Sequence, residues 1–420
     1  MTKEIQSTAQ RDRVWYVLAI LVTALTLSYV DRYVLAILIQ PIKRDLGLSD
    51  TQVGWLIGFA FAATYAVVGV PVARYADLGH RRRVIASSVA VWSLMTASCG
   101  FAQNFLQLAV GRFGVGVGEA GALPASQSII TELFPAEKRN TALALLACGG
   151  ALGLTIAFSL GSVLDHWLGW RWTFVVIALP GILLCVIVKR WIDELPLARQ
   201  KTAIDGEVEA ERWQHDLPEL CRNKIFRHLP FAQAANVVLL FNQAQWIPAY
   251  IERTFGASRS QIGPMLGLMQ GGAGLIGTIF GGLIADRLLK RGAAWPIRVA
   301  MGAALASVVP MFGVYFVPTA SQVYPLAGLM TLFLSMPTGA IFSTLQNAVP
   351  AGTRSTAAAV SAMVAAFVGL GAGPLVVGFL SDRFSAAEGP NSLRSALIVT
   401  DAVATPWLIF HLWRVLRILG

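Results

Sequence analysis

Apolar stretches long enough to cross a bilayer dominate this chain, and they set what it can fold into. They fall near 14 to 40, 50 to 76, 82 to 101, 105 to 130, 139 to 165 and 170 to 192, then near 225 to 251, 260 to 287, 294 to 317, 321 to 348, 354 to 380 and 394 to 416. A spanning helix needs about 20 mostly apolar residues. Inside lipid the backbone must satisfy its own hydrogen bonds, which a helix does and an open strand does not. The expected fold is therefore all-α, with twelve transmembrane helices in two six-helix bundles. The one long polar segment, 193–224, is charged with both signs and reads as a cytoplasmic linker between residues 1–192 and 225–420. Only 13% of the 420 residues are charged, against about 25% in an ordinary soluble protein. That excludes a large water-soluble enzyme or a nucleic-acid binder.

The net charge of +10 would suggest an anionic partner in a soluble chain. Here it follows topology. With the N-terminus inside, 24 of the 33 Lys and Arg fall in loops on the cytoplasmic side and 7 on the outer side. That asymmetry orients a membrane protein with the basic side inward, so both termini are expected to be cytoplasmic in a bacterial-type inner membrane. The first thirteen residues are polar, with no signal-peptide core. The four cysteines are scattered, with no spacing that would hold a metal, and neither a metal nor a cofactor is expected.

The chain also repeats itself at about half its length. RYADLGHRRR around Asp77 recurs as GGLIADRLLKRG around Asp286, and 286 minus 77 is 209. GSVLD at 161–165 is echoed by GFLSDR at 378–383. Duplicated halves place a binding site between them, near the bilayer midplane.

Charge inside the spans is confined to a few residues. Arg32 and Arg112 are the basic ones, and Asp31, Glu119 and Asp401 the acidic ones, Asp401 reading as a wetted residue near a span end. An ionisable group at bilayer depth is costly and marks a functional site, the alternative being a structural ion pair. Arg112 and Glu119 are seven residues apart, so they share a helix face at about 10 Å separation along the axis. Asp31 suits a proton carrier, because burial and a nearby arginine act on a carboxyl in opposite senses. Arg32 and Arg112 cannot give up their protons and suit an anionic head group. Asn236, Gln243 and Trp246 in the seventh span, with Gln270 in the eighth, either line a cavity or bond neighbouring helices. Asp77, Arg81 and Arg82, repeated as Asp286, Arg287 and Arg291, read as a gating latch on the cytoplasmic side. Taken alone, the arginines read as a topogenic basic loop.

These motifs resemble the major facilitator superfamily: the loop around Asp77, its copy at Asp286, Leu108 to Gly118 with Arg112, and GWRWTF near 169. SYVDRY at 28–33, GVGVGEAG at 114–121 and SIITELFPAEKRNTALAL at 128–145 resemble its spinster family. That resemblance implies export of lysophospholipids or sphingosine-phosphate-like lipids. It assigns the acid-arginine pair to Asp31 and Arg32 and the second pair to Arg112 and Glu119. Ala73, Leu78 and His80 depart from the superfamily's loop pattern, and the fifth span lacks the GPxxGG run of drug antiporters.

The expected activity is proton-coupled, alternating-access transport of an amphipathic anionic or zwitterionic lipid. Asp31 and Glu119 would carry protons, and Arg32, Arg112, Glu119, Asn236, Gln243 and Trp246 would bind substrate. The runner-up is a proton-coupled symporter of small organic anions or sugar acids. The expected partners are the substrate, protons and the bilayer, with no nucleic acid, and the protein is expected to be a monomer. A receptor or membrane enzyme finds no catalytic set or sensory domain to support it.

Overall fold

The computed structural model describes residues 2–75, 80–192, 216–350 and 353–420. Helix α1 (Thr2–Leu46) is followed by α2, built of Asp50–Gly54, a π-helical turn Trp55–Phe59, and Ala60–Tyr75. Next come α3 (Arg81–Cys99) and α4, which runs as Phe105–Glu119 and then Ala122–Leu133. The stretch Ala136–Trp191 breaks at Gly169, whose φ of +77° only glycine adopts at no steric cost. Its two arms are α5 and α6.

Past a short helix at 216–222 lie α7 (Leu229–Phe255) and α8 (Arg259–Leu266, π-helical Gly267–Gly271, Gly272–Leu289). Then follow α9 (Trp295–Phe316) and α10 (Ala320–Ser335 with Pro337–Ala348). Last are α11 (Arg354–Val364, π-helical Ala365–Ala372, Gly373–Glu388) and α12 (Ser392–Leu419). No strand occurs among the described residues.

Among the described residues, six stretches are long and apolar enough to cross a membrane: Val14–Leu46, Thr141–Trp191, Arg259–Leu289, Trp295–Phe316, Ala320–Ala348 and Thr356–Leu419. Two of these have 51 and 64 residues. At 1.5 Å per residue each far exceeds a hydrocarbon core of about 30 Å. Each therefore folds back on itself, the first at Gly169 and the second around Gly389. Large apolar side chains such as Leu106, Val110, Leu183, Val186 and Val309 point outward without protein cover, as lipid-facing residues do.

The face of the bundle where α1 begins and α6 and α12 end is termed here the terminal face. The buried apolar core is different at its two ends. At the terminal face one cluster, including Val17, Leu21, Val89, Trp92, Ile130 and Val188, draws only on residues 17–192. At the opposite face a single cluster joins Val34, Leu38, Val53, Leu56 and Phe158 to Trp246, Tyr250, Ile262 and Val377. The two parts of the chain thus share one core at the opposite face, and the first part keeps its own core at the terminal face.

Candidate functional site

Three contacts join the parts of the chain on either side of the linker: α2 against α11, α5 against α8, and α1 against α7. At the opposite face they are sealed by ion pairs. Asp50, 3% exposed at the start of α2, accepts both terminal nitrogens of Arg253 from α7 at 2.6 and 2.7 Å. It also accepts Lys43 Nζ at 2.5 Å and the Ser381 hydroxyl at 2.7 Å. Asp382 of α11 caps the same helix start, accepting the backbone N–H of Asp50 at 2.9 Å and of Thr51 at 2.7 Å. A helix N-terminus offers such unsatisfied N–H groups and favours a negative charge. On the other seam Arg259, at the start of α8, pairs with Asp165 of α5 at 3.0 Å, and Arg44 of α1 pairs with Glu252 of α7 at 3.0 Å. Burial pushes the Glu252 carboxyl above its ordinary value, against the pull of Arg259 and Arg44.

The repeat noted in the sequence explains this seal. Residues 50 and 259, and 44 and 253, are each 209 apart, as are Asp77 and Asp286. Asp165 and Asp382 are the echoed aspartates, and each reaches across to the start of the other half's second helix. Gly54 and Gly58 on α2 have counterparts 209 residues on, Gly263 and Gly267 on α8. A Cβ at Gly54 would meet the Pro374 carbonyl of α11, and one at Gly263 the Phe158 carbonyl of α5. Small residues at four-residue spacing let helix backbones approach in lipid, and both seams use them.

Behind this seal a cavity of about 660 Å³ extends toward the terminal face. Tyr29 and Tyr33 of α1, Phe241 of α7 and Gln270 of α8 line it, and exposed Asp286 stands at its mouth. Small and aliphatic residues of α5 and α8 make most of the remaining wall. Gln270 is buried, and neither its amide oxygen nor its nitrogen has a protein partner.

The four charged residues singled out in α1 and α4 come together. Arg32 donates to Glu119 at 2.5 Å, and its guanidinium lies 4.7 Å from the Tyr29 ring centre and 4.3 Å from that of Phe61. Arg112, 1% exposed, donates to the backbone oxygen of Asp31 at 3.0 Å and leaves Nε and Nη2 without partners. Asp31 is buried, and its Oδ1 also lacks a partner. None of the four forms the cavity wall. Tyr29 and Tyr33, which flank Asp31 and Arg32 on α1, do.

Several expectations need correction. Asn236, Gln243 and Trp246 are buried and absent from the cavity wall. The face of α7 that lines it carries Val237, Leu240, Phe241 and Ala244 instead, and the Gln243 amide turns toward α9 and α12. Gln243 donates to Tyr315 at 2.8 Å and to Asp401 at 2.7 Å. Asp401, read as wetted, is 0% exposed.

The expected latch at Asp77 lies outside the described residues. Arg81 pairs with Glu132 of α4 within the same half, and Arg82 is engaged as well. Asp286, Arg287 and Arg291 are exposed and make no ion pair among the described residues. Arg291 does lie 5.9 Å from the Trp295 ring centre. The closed latch is at the opposite face, in residues the motif reading passed over. The echoed aspartates 165 and 382 were the sequence signal for it.

Helices sealed at one face around a cavity that reaches the other define a secondary transporter rather than an enzyme. The chain belongs to the Major Facilitator Superfamily, which it matches over residues 21–374. It is 32% identical over 401 residues to an MFS-type efflux pump of Mycolicibacterium smegmatis, covering 93% of this chain and 90% of that protein. It is 24% identical over 433 residues to a probable L-galactonate transporter of Escherichia coli, covering 98% of this chain and 90% of that one. Among solved structures, a bacterial homologue of the human lysosomal transporter Spinster, inward-facing and unoccupied, matches with a TM-score of 0.83 at 24% identity. That match covers 96% of this chain and 98% of the other, and it is a likeness of fold. The protein is a multi-pass integral membrane protein.

Proposed function

We propose that this protein is a proton-coupled, alternating-access transporter of an amphipathic lipid with an anionic or zwitterionic head, of the lysophospholipid or sphingoid-phosphate type. The observation that carries this reading is the cavity: long, with mostly apolar walls, and closed by two tyrosines that flank a buried cluster of two acids and two arginines. An acyl tail suits the small and aliphatic wall of α5 and α8. A charged head suits the Tyr29 and Tyr33 end, where the Arg32 side chain keeps 12% exposure. The count of 24 basic residues against 7 supports a cytoplasmic terminal face, so the cavity opens inward. In this reading twelve crossings form two six-helix halves that rock about the site.

Coupling follows from competition for one guanidinium. A head group that engages Arg32 weakens its pair with Glu119, and a buried carboxylate that loses its counter-charge takes up a proton instead. Asp31 and Arg112, side by side with unpartnered polar atoms, are the second pair able to exchange partners between states.

Uptake into proteoliposomes is the test. Transport should rise with acyl-chain length across a lysolipid series. Arg32→Ala should lower it about 10- to 100-fold, since a hydrogen bond to a charged group contributes about 1.5–3 kcal/mol. Asp31→Asn should abolish the response to a pH gradient while leaving counterflow. If Asp31→Asn keeps pH-driven transport, the proton-carrier assignment is wrong. The second reading, a symporter of small organic anions or sugar acids, is favoured by the unpartnered amide of Gln270 in the cavity wall and by the name of the Escherichia coli relative. It predicts saturable uptake of sugar acids and no dependence on tail length.

A further inference from the structure

One buried ionisable group has no part in that transport scheme. Asp401 lies in the first half of α12, nine residues from its start, and is 0% exposed. The Tyr315 hydroxyl from α9 donates to its Oδ2 at 2.7 Å, and the Gln243 amide from α7 donates to the same oxygen at 2.7 Å. Oδ1 has no partner. Both donors are neutral, and Asp401 forms no ion pair with any described residue. The titratable neighbours are Tyr315 and, stacked edge-on to it at 5.7 Å, Tyr250 of α7.

Charges on the helices packed against α12 stand at their ends. They are Glu252 and Arg253 on α7, Arg298 on α9, and Arg354, Asp382, Arg383 and Glu388 on α11. Arg394 on α12 itself is seven residues away, about 10 Å along the axis, and lies 5.2 Å from the Phe316 ring centre. A carboxylate here would have two neutral donors on one oxygen but no counter-charge in a low-dielectric site, a costly state in which a group neutralises itself. The surroundings suit the protonated acid.

A second observation gives that proton a mechanical consequence. Each of the three helices meeting at this cluster carries a proline five residues from its member: Pro248 from Gln243, Pro310 from Tyr315, and Pro406 from Asp401. A proline inside a helix removes the hydrogen bond to the carbonyl four residues earlier. On α7 and α12 those carbonyls belong to Ala244 and Ala402, next to Gln243 and Asp401. The backbone is therefore weakened beside the bonded pair, and kinks of this kind are where helices bend. Beyond Pro248, α7 runs on to Glu252 and Arg253, both in the opposite-face seal.

We propose that Asp401 is a second proton-binding site, in the half of the chain that lacks Asp31 and Glu119, and that its occupancy controls the bend of α7 and hence the seal at Asp50. Protonated, it holds α7, α9 and α12 together through Gln243 and Tyr315 with the seal closed. When the proton leaves, the carboxylate needs water or a counter-charge, which the bend at the proline layer admits. The site does not depend on which substrate is carried or on protons passing through Asp31.

The test uses the full-length protein in liposomes. An acid-minus-alkaline infrared difference spectrum should contain a carboxylic-acid carbonyl band that Asp401→Asn removes and that an Asp31→Asn, Glu119→Gln double variant keeps. Spin-label distances across the opposite face should lengthen as pH rises in the wild type and stay short in Asp401→Asn. Tyr315→Phe keeps the shape of the cluster and removes one donor, so it should shift the band even where Asp401→Asn fails to fold. A band unaffected by both variants overturns the proposal, as does an Asp401→Asn protein whose opposite face still opens with pH. If the double variant retains both the band and coupled transport, the transport reading fails and this one stands.

Discussion

In Asp50→Ala the opposite face is expected to stand open. This carboxylate gathers Lys43, both terminal nitrogens of Arg253 and the Ser381 hydroxyl, and it is 3% exposed. Removing it leaves the Arg253 guanidinium, only 14% exposed, without a counter-charge. Breaking a buried pair from one side costs about 3–5 kcal/mol. Because Lys43 keeps 28% exposure, the low end applies. At 1.4 kcal/mol per factor of ten that is a shift of roughly a hundredfold toward the open form. Spin-label distances or thiol labelling across that face would read it, and unchanged distances would sink the assignment of this cluster as the gate. The control is Arg81→Ala. Its partner Glu132 lies within the same half and is partly exposed, and exposed pairs contribute about 0–1 kcal/mol, so the opposite face should not respond.

The second large effect is expected from one methyl group. In Gly378→Ala the new Cβ falls on the Asp50 carbonyl oxygen, and in Gly263→Ala on that of Phe158. Both obstacles are backbone, which cannot rotate aside as a side chain can. Overpacking costs about 1–3 kcal/mol per site, acting only on the form in which the seams are closed. The sites lie on separate seams, so their effects should add to within a few tenths of a kcal/mol. The double variant should therefore accumulate the form open at the opposite face and lose most transport. Gly272→Ala and Gly302→Ala, outside the cavity wall and where a Cβ meets nothing within 4 Å, should transport as the wild type does. A double variant as active as these would show that the glycine seams do not close in the cycle.

Much of this could be read along the chain. Apolar runs and the scarcity of charge imply a multi-pass helical membrane protein, because lipid leaves the backbone few alternatives. The motifs around Arg112 and the repeated Asp77 and Asp286 loops led to the superfamily. Arg32 and Glu119 were singled out because charge at bilayer depth is costly wherever it sits, and the structure bonds them to one another.

What could not be read was which face of a helix looks at which neighbour. Gln243 shares its amide chemistry with Gln270, yet only Gln270 reaches the cavity, because the rotation of α7 is set by packing and not by the side chain. Asp401 looks like a span-end residue until α7 and α9 close over it. Asp50 and Arg253, charges near span ends 203 positions apart, form a seal only where α2 and α7 meet. Composition, hydropathy and costly charge are local properties that a linear chain displays, so the membrane class and the Arg32 and Glu119 candidates were present in the sequence. Partnership across a seam depends on contact between distant segments, and there tertiary packing alone chose the seal, the cavity wall and the site at Asp401.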